Sequence, residues 1–111
     1  MYSYILTELP ELIDKKFNVD MSRQGIFGHS MGGHGALTVA LKNPKRFKSC
    51  SAFAPITQPT TANWSMPAFE KYLGQKNDNW RKYDAVSLIE DGHLFPEFLV
   101  DQGKADSFLE E

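Results

Sequence analysis

The sequence predicts an α/β fold, a parallel sheet with flanking helices, from three observations. An apolar stretch at residues 24–28 is followed at once by a Gly-rich helical segment at residues 31–42. A second apolar stretch, residues 47–54, follows that helix and completes a strand–helix–strand unit. Units of this kind pair their two strands in parallel, with a right-handed crossover in almost every case.

The residue types within this unit support each of its elements. Ile26 and Phe27 give the first stretch the β-branched and aromatic bulk typical of a strand. Apolar residues then recur at helical spacing at Leu37, Ala40 and Leu41. Cys50 lies in the second stretch, where we expect it to be a small buried side chain rather than a reactive thiol.

Periodicity and turn signals predict the remaining elements. Residues 2–17 have helical spacing, and Pro10 must kink that helix or split it. A Pro- and Thr-rich excursion at residues 55–67 leaves the carboxyl end of the second strand, the side on which open α/β sheets bind ligands. Further helical stretches are expected at 67–73, 78–82 and 84–90, a strand at 97–101 and a loop at 102–106.

Length and composition exclude several classes of protein. The 111 residues form at most one small domain, and the net charge of -2 lacks the basic footprint of a nucleic-acid-binding protein. No apolar run approaches the ~18 residues of a membrane span. One cysteine excludes an internal disulfide framework and a Cys-rich zinc site. We therefore expect no metal, no cofactor, and neither a nucleic acid nor a membrane as partner.

The pentapeptide Gly28-His29-Ser30-Met31-Gly32 matches G-x-S-x-G, the nucleophile elbow of serine hydrolases. The strand before it and the helix after it are the context that this elbow requires. Ser30 is the predicted nucleophile, and the backbone N–H of Met31 is the predicted oxyanion donor. The flanking glycines are expected because the turn leaves room for a hydrogen side chain only.

Five stretches resemble a known family: Gly28 to Leu37, Ser51 to Ile56, Lys71 to Gly74, Tyr83 to Ala85, and Asp101 to Asp106. Together they resemble the S-formylglutathione hydrolases, the esterase D family of α/β-hydrolases. The resemblance implies hydrolysis of S-formylglutathione to formate and glutathione in cytoplasmic formaldehyde detoxification. It also implies activity on small carboxylic esters and a homodimeric enzyme that needs no cofactor.

The same resemblance implies that residues 1–111 are an internal part of a single α/β-hydrolase domain, incomplete at both ends. The family's first strands and oxyanion loop would lie before this segment, and its catalytic histidine after it. Asp106, at the end of a Gly-x-x-Asp loop, resembles the family's triad acid. Asp101 is the rival acid, although the last residue of a strand more readily aims away or caps the turn.

None of the three histidines fits the role of triad base. His29 and His34 are too close to Ser30 in sequence to reach both its hydroxyl and an acid, and His93 precedes Asp106. Since α/β-hydrolases have the order Ser, Asp, His, each is interpreted as a packing or surface residue. We therefore expect the isolated chain to be inactive.

The excursion departs from the family pattern at two places. Trp64-Ser65-Met66-Pro67-Ala68-Phe69 stands where the family usually has Trp-Gly-x-Lys-Ala-Phe, and Thr57-Gln58-Pro59 where it has Cys-Asn-Pro. Trp64 is a candidate substrate-binding residue, with packing an equal alternative, whereas packing is favoured for Trp80. Two other functions stay open: a general carboxylesterase or acyltransferase of the same fold, and a non-catalytic remnant used for binding or dimerisation.

Overall fold

The computed structural model describes residues 1–109, in which three parallel strands form one sheet. The strands β1 (Gln24–His29), β2 (Phe47–Phe53) and β3 (Leu99–Asp101) lie side by side in that order. The β1–β2 register runs from Gln24 opposite Phe47 to His29 opposite Phe53. The predicted parallel unit is confirmed, while β3 is shorter than the predicted strand at 97–101.

Helices precede, connect and follow these strands. A π-helical stretch, Tyr4–Glu8, leads into α1 (Leu9–Lys16), and the later helices are α2 (Met31–Lys42), α3 (Met66–Leu73), a 3₁₀ helix (Asp78–Tyr83) and α4 (Ala85–Glu90). The predicted split at Pro10 does not occur, because residues 2–16 are helical without a break and both Glu8 and Leu9 have αR backbones. The π-helical turn lies directly before Pro10, at the place where a proline disturbs the regular hydrogen bonding of a helix. None of the helices within residues 1–109 has the length and apolar character needed to cross a bilayer.

The core lies between α2 and one face of the sheet. It contains Ala36, Leu37, Ala40 and Leu41 of α2, Cys50 and Ala52 of β2, and Leu88 of α4. The opposite face of the sheet is open, with Phe27 78% exposed and Leu99 53% exposed. Trp80 is buried among packed side chains, in agreement with the packing role favoured for it. The described part of the sheet therefore has one covered face and one apolar face open to solvent.

The contact between β1 and the start of α2 is closer than any side chain allows. A Cβ atom on Gly28 would lie 2.1 Å from the carbonyl oxygen of Gly32. A Cβ on Gly33 would lie 3.0 Å from the Cβ of Pro55. The space beside Gly32 and Gly35 is open within 4 Å. The expectation that both flanking positions need a hydrogen side chain therefore holds for Gly28 and is wrong for Gly32 among the described residues.

We predict that Gly28→Ala destabilises the chain by about 3 kcal/mol or more, the upper end of overpacking costs. The added methyl would overlap a backbone carbonyl, which cannot turn away as a side chain can. The measurement is the urea midpoint of unfolding. The control is Gly35→Ala, at a glycine of α2 with open space beside it, which should stabilise α2 by up to about 1 kcal/mol. Equal midpoints for the two variants would contradict this account.

Candidate active site

Ser30 lies on the sharp turn between β1 and α2 with a strained backbone. Its φ of 56° and ψ of -120° place it where side chains other than glycine are rarely found. Such a conformation costs about 1–3 kcal/mol and persists only when its surroundings hold it. Here the Ser30 N–H donates to the carbonyl of Phe53 at 2.9 Å, and the Ser30 carbonyl accepts from the His34 N–H at 3.0 Å. The turn has the strained strand-to-helix geometry expected of a nucleophile elbow.

The strained turn leaves the Ser30 hydroxyl free of the helix that follows it. Serine is a favoured helix cap, yet the side chain of Ser30 makes no capping hydrogen bond to α2. Met31 is the first residue of α2, so its N–H has no acceptor within the helix. The helix dipole adds partial positive charge at the same place. A hydroxyl thus stands beside unused N–H donors, an arrangement suited to a developing oxyanion.

The Ser30 turn opens into a cavity of about 760 Å³. Its lining is formed by His29, Ser30, Met31, Gly32, Ala54, Pro55, Ile56, Trp64, Gln102, Asp106, Ser107 and Phe108. The carboxylate of Asp106 is fixed by its own loop, because Oδ1 accepts from the Phe108 N–H at 2.9 Å. The structure therefore brings Ser30, Met31, Trp64 and Asp106 to one cavity.

Asp101 occupies a different position from Asp106. It ends β3 in register with Phe53, and alternation along the strand directs its side chain to the open face of the sheet. Its backbone carbonyl accepts from the Ala54 N–H at 2.7 Å, so it serves to extend the sheet. Of the two candidate acids, only Asp106 is among the described residues that line the Ser30 cavity.

The three histidines lie in three different environments. His29 is exposed and lines the cavity, next to Ser30 in the chain, and His93 is exposed after α4. His34 faces away from the cavity, and its Nε2–H donates to the carbonyl of Tyr83 at 2.7 Å. Burial lowers the pKa of His34, an effect that the hydrogen bond to Tyr83 only partly offsets. His34 therefore packs as a neutral side chain joining α2 to the 3₁₀ helix.

Sequence reasoning missed Phe108 and Ala54, which both line the cavity. Phe108 packs against Trp64 with ring centroids 5.6 Å apart, and together they form an aromatic wall. Ala54 has a φ of 43°, a second strained position next to the first. A lone Phe after the Asp106 loop carries no distinguishing pattern. Residues before proline normally adopt extended conformations, so nothing in the sequence marked Ala54 as left-handed.

Comparison with known proteins places this geometry in a family. A family model described as "Putative esterase" matches residues 2–111. The chain belongs to this esterase family. The S-formylglutathione hydrolase of Mus musculus is 52% identical over 111 residues, which cover 98% of this chain and 39% of the mouse protein. That of Paracoccus denitrificans is 46% identical, covering 99% of this chain and 39% of the relative. The chain thus spans about 40% of the length of these curated relatives.

A solved structure shows the same fold for this chain. An S-formylglutathione hydrolase from Agrobacterium tumefaciens is 72% identical, with a TM-score of 0.95 over 99% of this chain and 40% of that one. A Staphylococcus aureus structure of the same name, 23% identical, has a TM-score of 0.75 and supports the fold alone. The predicted α/β-hydrolase fold class is confirmed, and the described chain is part of such a domain.

We predict that His34 makes the chain less stable in mild acid. Because burial lowers the pKa of His34 below its ordinary 6.5, the unfolded state takes up the proton first. The contribution of neutral His34 to the free energy of unfolding is therefore fully present above pH 6.5, and it is lost as the pH falls towards the pKa of the folded state. His34→Gln keeps an N–H donor for Tyr83 but does not titrate.

The measurement is urea unfolding at about pH 7.5 and about pH 5, where linkage predicts a smaller loss of stability for His34→Gln than for the parent. His93→Gln, which removes an exposed histidine, is the matched control and should lose as much stability as the parent. If His34→Gln lost as much stability at low pH as the parent, His34 would be ruled out as the source of the loss.

Proposed function

We propose that this chain carries the nucleophile and the acid of a serine hydrolase that cleaves S-formylglutathione to formate and glutathione. The observation that carries the proposal is the Ser30 turn, whose strained backbone presents an uncapped hydroxyl to the cavity that Asp106 also lines. The curated relatives and the Agrobacterium protein bear the name of this activity, which supports it. A cytoplasmic homodimer belongs to the same proposal and is supported by family resemblance only.

In the proposed reaction the Ser30 hydroxyl oxygen attacks the thioester carbonyl carbon while a base takes its proton. The N–H of Met31 donates to the resulting oxyanion. The carbon–sulfur bond then breaks, and glutathione leaves as the thiol with the proton returned by the base. A water molecule next attacks the formyl ester of Ser30, which releases formate and restores the hydroxyl.

The base of this triad is proposed to come from outside these 111 residues, with Asp106 as its orienting acid. His34 is unsuited to the role because its Nε2–H is bonded to Tyr83. His93 follows α4, in a stretch that does not contribute to the described lining of the cavity. A base must lie within hydrogen-bond reach of the proton it removes.

A second candidate, a carboxylesterase for short esters, is favoured by the apolar lining of the cavity. Pro55, Ile56, Trp64 and Phe108 form much of its wall beside Met31. Such a surface suits a small uncharged acyl or alcohol group. The ratio of kcat/KM for S-formylglutathione to that for p-nitrophenyl acetate decides between the two: a ratio well above one supports the thioesterase, and a ratio well below one supports the carboxylesterase.

The test uses a chimera, the Agrobacterium tumefaciens relative carrying residues 1–111 of this chain in place of its matching segment. We predict that the chimera hydrolyses S-formylglutathione, and that the isolated chain exceeds buffer only slightly because the proposed base lies outside it. Ser30→Ala in the chimera should remove nearly all turnover. Robust turnover by the isolated chain, lost in one of the variants His29→Ala, His34→Ala or His93→Ala, would show that the base lies within it.

A matched pair of variants tests the acid. In the chimera, Asp106→Asn should lower kcat about 10⁴-fold, the scale seen when a triad acid is changed. Asp101→Asn, at the end of β3 five positions earlier, should retain kcat within about tenfold, far below that scale. The three histidine variants should likewise keep most of the chimera's kcat. A larger loss at Asp101 than at Asp106 would reverse the assignment.

A further inference from the structure

Asp84 is a fully buried carboxylate outside the Ser30 cavity. It joins the 3₁₀ helix to α4, and its exposed fraction is 0%. Its Oδ1 accepts from the Ser87 N–H at 2.8 Å and so caps α4. Its Oδ2 accepts twice from Thr60, from the backbone N–H at 3.1 Å and from the hydroxyl at 2.6 Å. One carboxylate therefore joins α4 to a residue 24 positions earlier in the chain.

Thr60 lies at the middle of the excursion that forms one side of the cavity. Ile56, four residues before it, and Trp64, four residues after it, both line the cavity. The excursion is folded on itself beside Thr60, where the Ser65 hydroxyl donates to the carbonyl of Pro59 at 2.8 Å. Fixing Thr60 thus fixes the segment between the two lining residues.

The choice of a carboxylate points to more than helix capping. Asparagine and serine cap helices as well as aspartate does, so capping α4 requires only one acceptor. A buried carboxylate is costly unless hydrogen bonds satisfy it, and this one receives three. An asparagine side chain has only one acceptor oxygen, which could face either the Ser87 N–H or the Thr60 donors. Its amide N–H₂ would then face the other donor, and that hydrogen bond would be lost. Of these capping residues, only the carboxylate accepts from both elements at once.

We propose that Asp84 is a positioning residue, which holds Thr60 and thereby places Ile56 and Trp64 as the wall of the substrate cavity. Its kinetic consequence rests on the hydrolase function proposed above. The reacting groups, Ser30, the Met31 N–H and Asp106, lie on other elements. Loss of the Asp84–Thr60 contact should therefore weaken substrate binding more than the chemical step.

Two variants and one control test this in the chimera. Asp84→Asn keeps an acceptor for the α4 cap but turns an amide donor towards the Thr60 N–H. Thr60→Val removes only the hydroxyl donor and is the milder change, suited to the case in which Asp84→Asn fails to fold. The control is Thr61→Val, one position away, whose exposed hydroxyl bonds the carbonyl of Gln58 at 3.1 Å.

For p-nitrophenyl acetate we expect Asp84→Asn to raise KM about fivefold or more and Thr60→Val to raise it about threefold, each with kcat within about threefold of the parent. Thr61→Val should match the parent in both constants. Amide hydrogen exchange should quicken about tenfold or more at Thr60 in Asp84→Asn and stay unchanged at Ser87. An unchanged KM in Thr60→Val and Asp84→Asn, or equal loss of protection at Thr60 and Ser87, would overturn the proposal.

The two proposals fail in different ways. A parent chimera without turnover of either substrate would refute the hydrolase function. Hydrogen exchange at Ala62 and Ser65, whose N–H groups bond the carbonyls of Gln58 and Ala62 on either side of Trp64, would then test Asp84 by itself. Quickened exchange at these two amides in Asp84→Asn, with Ser87 unchanged, supports the positioning role. Unchanged exchange at both refutes it.

Discussion

The close approach of Gly28 to the first turn of α2 is the constraint on which the site depends. Because Gly28 has no Cβ atom to collide with the backbone of Gly32, a single residue is enough to connect the end of β1 to the start of α2. The single residue between them, Ser30, must reverse the chain direction and takes a backbone conformation that serine otherwise avoids. The free hydroxyl and the unpaired N–H groups at the start of α2 are consequences of that compact junction.

The carboxyl ends of the three strands are tied together in sequence. The Ser30 N–H, just past β1, bonds the carbonyl of Phe53 at the end of β2. The Ala54 N–H, just past β2, bonds the carbonyl of Asp101 at the end of β3. Ser30 and Ala54, the two strained residues, thus each lie one position beyond a strand and are hydrogen-bonded to the end of the neighbouring strand. The cost of each left-handed backbone is offset by a pairing that continues the sheet into the site.

Periodicity and motif were sufficient to predict the parts of the molecule whose signal is local. The strand–helix–strand unit and the turn at Ser30 each follow from neighbouring residues. The contacts of Asp84 with Thr60 and of Phe108 with Trp64 join distant segments, so no local pattern reveals them. The left-handed Ala54 contradicts the usual preference before proline, because tertiary pairing with β3 overrides it. The open space beside Gly32 and Gly35 likewise depends on what packs nearby.

The open face of the sheet has a consequence for the behaviour of this chain in solution. In the described sheet β1 and β3 are edge strands, each with a row of main-chain groups able to pair with another strand. Phe27 and Leu99 stand on the adjoining open face as apolar side chains in contact with water. Two chains that meet edge to edge would gain main-chain hydrogen bonds, and two that meet face to face would bury these apolar side chains. Association of the isolated chain should therefore increase with its concentration, and dilution should favour the monomer.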